Sequence, residues 1–222
     1  MNTTSIKKWN ALLPEFSKLG KNKLVKFYPP VLIGIEFVAN RFAKGEYCPY
    51  LFIESFIATQ FNPGICYLKE LRKTPDKNFW YLPAMSQVED DELNTIIYEN
   101  NSDFSLLLNL NLKAYDLIRF LNVAISEERI IFGNLSDTLK LLSYLYMQIP
   151  EPDISYRKDK YNYFKSMITN DERFKRLPEH FYKELLADMQ MYYENPLMTK
   201  EVIERNIQQS KVVKLKQYTL QS

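Results

Sequence analysis

The spacing of apolar residues in the first third of the chain predicts two long helices. Between residues 31 and 42, apolar side chains recur at the i, i+4 and i+7 positions that form one buried helix face. Gly45 follows, and glycine readily adopts the left-handed conformation that ends a helix. Residues 51–61 are apolar nearly all round, which predicts a helix enclosed by others. We expect these two helices to form the centre of the fold.

Helical patterns continue through the rest of the chain. A capping-box pattern at Ser86 to Glu89 predicts a helix start, and apolar spacing predicts helices at residues 103–110, 113–126, 136–148, 160–168 and 197–209. Pro178 predicts the start of a further helix. Its inner stripe is expected to consist of Phe181, Leu185, Leu186, Met189 and Tyr192. Short strands are predicted only at residues 129–133 and in the alternating tail at 211–216.

These patterns predict a mainly α fold: a multi-helix globular bundle with at most a few short strands. Pro150-Glu151-Pro152 predicts an extended hinge, because two prolines disfavour helix at consecutive positions. The hinge would separate a helical core domain, residues 1–149, from a C-terminal helical subdomain, residues 153–222. A single domain is the alternative.

Composition restricts the chemistry that the chain can carry. Its 222 residues are 46% hydrophobic, which is enough for a packed core. The five glycines form neither a dinucleotide-binding loop nor a phosphate-binding loop. One histidine and two cysteines are too few for a closed zinc site, so we expect no metal and no cofactor.

The sequence also predicts a location. The start of the chain lacks the pattern of a secretory signal. The longest apolar stretches are interrupted by Glu36 and Glu54, which argues against a membrane span. We therefore expect a cytoplasmic protein with no membrane partner, in which Cys48 and Cys66 are free thiols.

Charge is distributed unevenly, and this suggests a protein-binding region. The 29 basic and 27 acidic residues give a net charge of only +2. Residues 86–135 nevertheless contain three basic and nine acidic side chains, a local charge of −6. Negative charge in the first turn of a helix is common, because it complements the helix dipole. A docking patch for another protein is the functional alternative, and it would consist of Trp80, Tyr81, Glu89, Asp90, Asp91 and Glu92.

A basic-aromatic segment, residues 156–165, is the strongest nucleic-acid signal in the chain. Cations can contact phosphates and aromatic rings can stack on bases. The candidate cations are Arg157, Lys158, Lys160 and Lys165. An amphipathic helix explains the same spacing, with Tyr161, Phe164 and Ile168 in the core and the lysines in solvent.

His180 is the only side chain with an ordinary pKa near neutrality, so it is the first candidate for a general base. No sequence motif supplies it with a nucleophile, and a surface or helix-capping histidine is the alternative.

The apolar spacing at residues 113–133 and 28–61 is similar to that of the small middle subunits of three-component, ABC/SMC-like bacterial defence systems. The similarity has no diagnostic motif, so it implies no site residue. The leading hypothesis is a non-enzymatic accessory subunit that docks to another protein, in a bacterial multi-protein, defence-type system. Nucleic-acid binding through residues 156–165 is the first alternative, and an enzyme of unfamiliar type that uses His180 is the second.

Overall fold

A computed structural model describes residues 3–39, 47–59, 63–71, 111–148, 154–175 and 178–221. The strands are β1 (Ser17–Leu19), β2 (Lys23–Tyr28), β3 (Val31–Ala39), β4 (Tyr47–Ser55) and β5 (Gly64–Glu70). The helices are α1 (Thr3–Leu12), α2 (Ala114–Ser126), α3 (Phe132–Gln148), α4 (Ile154–Asn170), α5 (Glu172–Lys175), α6 (Glu179–Glu194) and α7 (Pro196–Gln209). The helices expected at Ser86 and at 103–110 lie outside the described residues.

The prediction of a mainly α bundle is wrong, because the two expected central helices are strands β3 and β4. Both strands bury consecutive residues: Val31 to Ile35 in β3, and Leu51 to Ile53 in β4. A strand covered on both faces reads as a continuous apolar run, without the alternation that identifies a half-exposed strand. A short run of this kind cannot be distinguished from a buried helix by periodicity.

Gly34 was an indication of a strand in a segment whose apolar spacing predicted a helix. A Cβ atom at this position would lie 2.7 Å from Cγ1 of Val25 and 3.0 Å from Cζ of Phe52, and it would also collide with the carbonyl oxygen of Leu24. An isolated glycine within an apolar run marks such a close approach between strands. Here it lets β2 and β3 pair directly, with Val25 opposite Gly34.

The strands form one antiparallel sheet in the order β1-β2-β3-β4-β5, so each strand lies beside its neighbour in sequence. β2 and β3 pair from Lys23 opposite Glu36 to Tyr28 opposite Val31, and Pro29 and Pro30 form the turn. Antiparallel neighbours can be joined by a two-residue turn, as β2 and β3 are.

The chain divides into two compact units. The first comprises residues 1–53, 68–112 and 214–219. In it, α1 contributes Trp9, whose indole N–H donates to the hydroxyl of Tyr47 at 3.1 Å and whose ring contacts Phe37 edge-on. The backbone N–H of Tyr218 donates to the carbonyl of Phe27, which brings the end of the chain against β2.

The second unit comprises residues 54–67, 113–213 and 220–222, and contains α2 to α7. The helices expected at 113–126, 136–148 and 197–209 are confirmed as α2, α3 and α7, with small shifts at their ends. Pro178 is the N-cap of α6, one residue before its start. The buried side chains of these helices include Leu117, Leu121, Leu139, Leu142, Phe164, Leu185 and Met189.

Three smaller expectations are wrong. Residues 129–133 are not a strand, because α3 already begins at Phe132. The tail forms a 3₁₀ helix, Lys211–Lys214, and beyond it Gln217 and Gln221 make isolated bridges to Phe27 and Lys113. Phe181 does not belong to the inner stripe of α6, since it is 53% exposed.

The expected domain boundary at Pro150 to Pro152 lies outside the described residues and stays a prediction. No helix in the described part of the chain is long and apolar enough to span a membrane.

The surroundings of two glycines predict opposite effects of alanine. Gly34→Ala should destabilise the protein by about 1–3 kcal/mol, because the new methyl group overlaps the backbone of β2. Gly133→Ala, in the first turn of α3 with open space around it, should stabilise by up to about 1 kcal/mol. Urea titrations followed by far-UV circular dichroism measure both effects. A Gly34→Ala variant as stable as the parent would contradict the close approach of β2 and β3.

Candidate functional site

Several predicted site residues lie outside the described residues: Trp80, Tyr81, Glu89, Asp90, Asp91 and Glu92. His180 is described. It is exposed in the first turn of α6, where its ring packs 4.2 Å from the ring of Phe181. Among the described residues it has no hydrogen-bonded carboxylate or nucleophile. Within the described ranges, His180 therefore lies in no arrangement typical of a catalytic base.

The basic-aromatic segment, residues 156–165, lies within helix α4, and its burial pattern is that of an amphipathic helix. Phe164 and Ile168 are fully buried, as expected of an amphipathic helix. Lys158 and Lys165 are exposed. Arg157 belongs to α4, but its side chain lies outside the described part of the structure.

Lys160 is the centre of an aromatic cluster. Its ammonium lies 4.8 Å from the ring centroid of Tyr146, 5.3 Å from that of Tyr156 and 5.9 Å from that of Tyr163. Attraction between the cation and the ring faces holds these groups together. Tyr163 is 56% exposed, so the cluster reaches the surface. We name Tyr146, Tyr156, Lys160 and Tyr163 the tyrosine patch.

Tyr146 anchors the patch to the helices beneath it. Its hydroxyl accepts a hydrogen bond of 3.1 Å from Nδ2 of Asn122 in α2, and its ring packs on buried Phe164. Burial raises the pKa of the Tyr146 hydroxyl, the bond from Asn122 lowers it, and the nearby hydroxyls of Tyr163 and Tyr115 raise it. Tyr115 of α2, whose hydroxyl influences that of Tyr146, is 64% exposed.

A second pair of tyrosines flanks α4. Tyr161 of α4 and Tyr193 of α6 stack with ring centroids 5.3 Å apart and planes 14° from parallel. The ammonium of Lys165 lies 6.0 Å from the Tyr161 centroid. The placement of Tyr161 in the core was therefore only partly right, because the side chain is half-buried rather than enclosed.

A separate cluster of titratable groups lies in the interior of the second unit. Asp188 of α6 is 2% exposed. One of its oxygens accepts a hydrogen bond of 2.6 Å from Oγ1 of Thr59, and the other lies 2.7 Å from Nζ of Lys140. Asp137, one turn before Lys140, also lies close, and a Cβ atom on Gly64 would overlap its carboxyl group.

Burial shifts the pKa values of Asp137, Cys66 and Tyr192 in this part of the interior. Desolvation raises the pKa of Asp137, the charge of Lys140 lowers it, and the charge of Asp188 raises it, with a net upward shift. Burial also raises the pKa values of Cys66 and Tyr192. Their protonated forms are poor nucleophiles and poor bases at neutral pH. We interpret this cluster as a structural ion pair rather than a reactive centre.

The same cluster borders residues 56–59, which leave β4 without ladder pairing. Asn206 of α7 donates to the carbonyls of Phe56 and Ala58 at 2.9 and 2.8 Å. The hydroxyl of Tyr192 donates to the carbonyl of Ile57, and Arg205 donates to that of Thr59 at 2.7 Å. Side chains of α6 and α7 therefore satisfy consecutive backbone acceptors.

Two further observations limit the chemistry. Cys48 and Cys66 are both buried and unpaired. Within the described ranges, no three His, Cys, Asp or Glu side chains are grouped so that they could bind a metal ion. An open cavity of about 290 Å³ lies between α4, α5 and α6 and is lined by Thr169, Phe174, Lys175, Glu179 and Tyr182.

Comparison with known proteins gives no further identification: the chain matches no family model, no curated protein and no solved structure. The candidate site therefore depends on its geometry alone.

The sequence located part of this geometry and missed the rest. It identified α4 as basic and aromatic, but Tyr115 and Tyr146 come from α2 and α3, outside the segment. The buried cluster joins residues separated by up to 129 positions, so no local spacing could reveal it. The one available signal was that Asp188 follows Leu185 by three positions, on the apolar side of α6.

Replacing Asp137 and Asp188 by asparagine should have opposite effects on the stability of the protein. The folded pKa of Asp137 is above its ordinary value of 3.8, so its contribution to stability is greatest below about pH 4 and falls as the pH rises. Asp137→Asn removes this penalty. Relative to the parent, the variant should gain stability as the pH rises above about 4, toward the raised pKa of Asp137.

Asp188→Asn is the matched control, because it makes the same chemical change in the carboxylate that pairs with Lys140. It should destabilise by about 3 kcal/mol or more at pH 7, as for other broken buried ion pairs. Urea unfolding across this pH range measures both variants. Equal destabilisation by the two substitutions would contradict the assignment.

Proposed function

We propose that this protein binds single-stranded nucleic acid through the tyrosine patch and the neighbouring lysines of α4. The observation that carries the proposal is the position of Lys160 among three tyrosine rings, beside the exposed Tyr163.

The aromatic rings support base stacking. Every base has a π-face, so stacking on tyrosine tolerates any sequence. Lys160 and the Asn122 hydrogen bond restrain the rings of the patch before a ligand arrives, which lowers the entropy lost on binding. Tyr163, which is 56% exposed, offers the most exposed ring of the patch.

The local charge supports phosphate binding. Among the described side chains of α4 there are three lysines, Lys158, Lys160 and Lys165, and one aspartate, Asp159. Neither Lys158 nor Lys165 forms an ion pair with another described residue, so both can contact phosphates. A total charge of +2 does not oppose this interaction, because the relevant cations are concentrated on one helix.

The docking hypothesis that uses Trp80, Tyr81 and residues 89–92 stays a prediction, as does membership of a defence-type system. A cytoplasmic location and the enzymatic use of His180 also stay predictions. The surface formed by α2, α3 and α4 is the better basis for a proposal, because its contacts are described.

The first test of this proposal is stacking. Tyr163→Ala should weaken binding of a fluorescent ten-nucleotide oligothymidylate at least fivefold, since one stacked base contributes about 1–3 kcal/mol. Tyr163→Phe keeps the ring and should bind as the parent does. Fluorescence anisotropy at 50 mM salt measures both. If the parent binds neither this oligonucleotide nor the matching oligouridylate, the proposed function is wrong.

The second test is charge. Lys165→Glu should weaken binding and reduce the slope of log K against log salt concentration by about 1. Lys200→Glu makes the same charge change at an exposed position of α7. It should leave the slope unchanged. Equal losses in the two variants would indicate attraction to net charge instead of binding at α4.

A further inference from the structure

The two aromatic groups described above lie on nearly opposite flanks of α4. Tyr156, Lys160 and Tyr163 are spaced by four and three residues, so they share one flank. Lys158, Tyr161 and Lys165 are spaced by three and four residues and share another. At about 100° per residue, the two flanks are separated by about 160° around the helix axis.

The inner face of α4, between these two flanks, is buried in the core. Phe164 and Ile168 point into the core with no exposed area. The outer face is polar and exposed, and carries Asp159, Asn162 and Ser166. A ligand that contacts both aromatic groups must therefore cross this outer face.

We propose that one nucleic-acid strand crosses the outer face of α4 and stacks bases at both ends of its path, on the tyrosine patch and on the Tyr161–Tyr193 pair. This inference rests on the proposed function and extends it to a two-part site. Lys158 and Lys165 lie on the second flank, where they would contact the phosphates beside the Tyr161–Tyr193 pair.

The width of the helix determines the ligand length. A helix with its side chains is about 10–12 Å across, whereas a stacked strand advances about 3.4 Å per nucleotide. A dinucleotide reaches one aromatic group only. An oligonucleotide of about six nucleotides spans both, so affinity should rise steeply between these lengths.

Asp159 places a negative charge on the proposed path. Its carboxylate lies on the outer face between the two flanks, where it repels phosphates. Asp159→Asn should therefore tighten binding of a ten-nucleotide oligothymidylate by about two- to fivefold, as for other exposed charge pairs. A gain in affinity cannot result from misfolding.

Two further variants, Tyr161→Ala and Tyr193→Ala, test the second aromatic group through a loss of binding affinity. Each should weaken binding of the ten-nucleotide oligothymidylate at least fivefold, whereas Tyr161→Phe should retain the affinity of the parent. Competition by oligothymidylates of two, four, six and ten nucleotides, measured by anisotropy, gives the length dependence. Circular dichroism of each variant checks that the helices are intact.

The outcomes separate the two proposals. If the parent does not bind any of these oligonucleotides, the proposed function itself is wrong. If binding depends on Tyr163 but is unchanged by Asp159→Asn, Tyr161→Ala and Tyr193→Ala, the protein has a single stacking site and the path across α4 is wrong. A gain from Asp159→Asn together with losses from both alanine variants would support the path.

Discussion

The backbone of residues 56–59 imposes the main constraint on the second unit. These residues continue from β4 without strand pairing, yet Phe56 and Ile57 are buried. A buried carbonyl without a partner costs free energy comparable to a lost hydrogen bond. Asn206 and Tyr192 supply the missing donors, which requires α6 and α7 to pack directly against this segment.

The ion pair between Lys140 and Asp188 reinforces the same arrangement. Its charges lie in the interior, so they stabilise the fold only while both are present and well aligned. Thr59 adds a hydrogen bond to Asp188, which links residues 56–59 to α3 and α6 through one carboxylate. Buried polar groups of this kind favour one packing arrangement over others, because any shift leaves a charge unpaired.

In the second unit, the titratable groups of the interior and the tyrosines at the surface differ in their surroundings. Asp137, Cys66 and Tyr192 are reactive residue types, but burial raises the pKa of each of them. The tyrosines around Lys160 differ, because Tyr163 is exposed and the ammonium of Lys160 lies 4.8 Å from the ring centroid of Tyr146. In the proposed function, binding at this surface depends on ring area and local cations rather than on the formation of covalent bonds.

The sequence by itself determined the amphipathic helices, which have one apolar face and one polar face. The stripe of α2 predicted its extent to within a residue, and the positions of Phe164 and Ile168 predicted which side of α4 is buried. Local spacing is sufficient there, because helix periodicity directly reflects a single buried face. The candidate cations of α4 were also identified from spacing and residue type alone.

Only the tertiary structure decided the identity of β3 and β4 and the composition of both clusters. Val31 to Ile35 are buried on both sides of the chain, so their pattern contains no period that separates strand from helix. Tyr146 reaches Lys160, and Asp188 reaches Thr59, across long separations in sequence. Such contacts arise from the packing of distant elements, and local residue spacing cannot encode them.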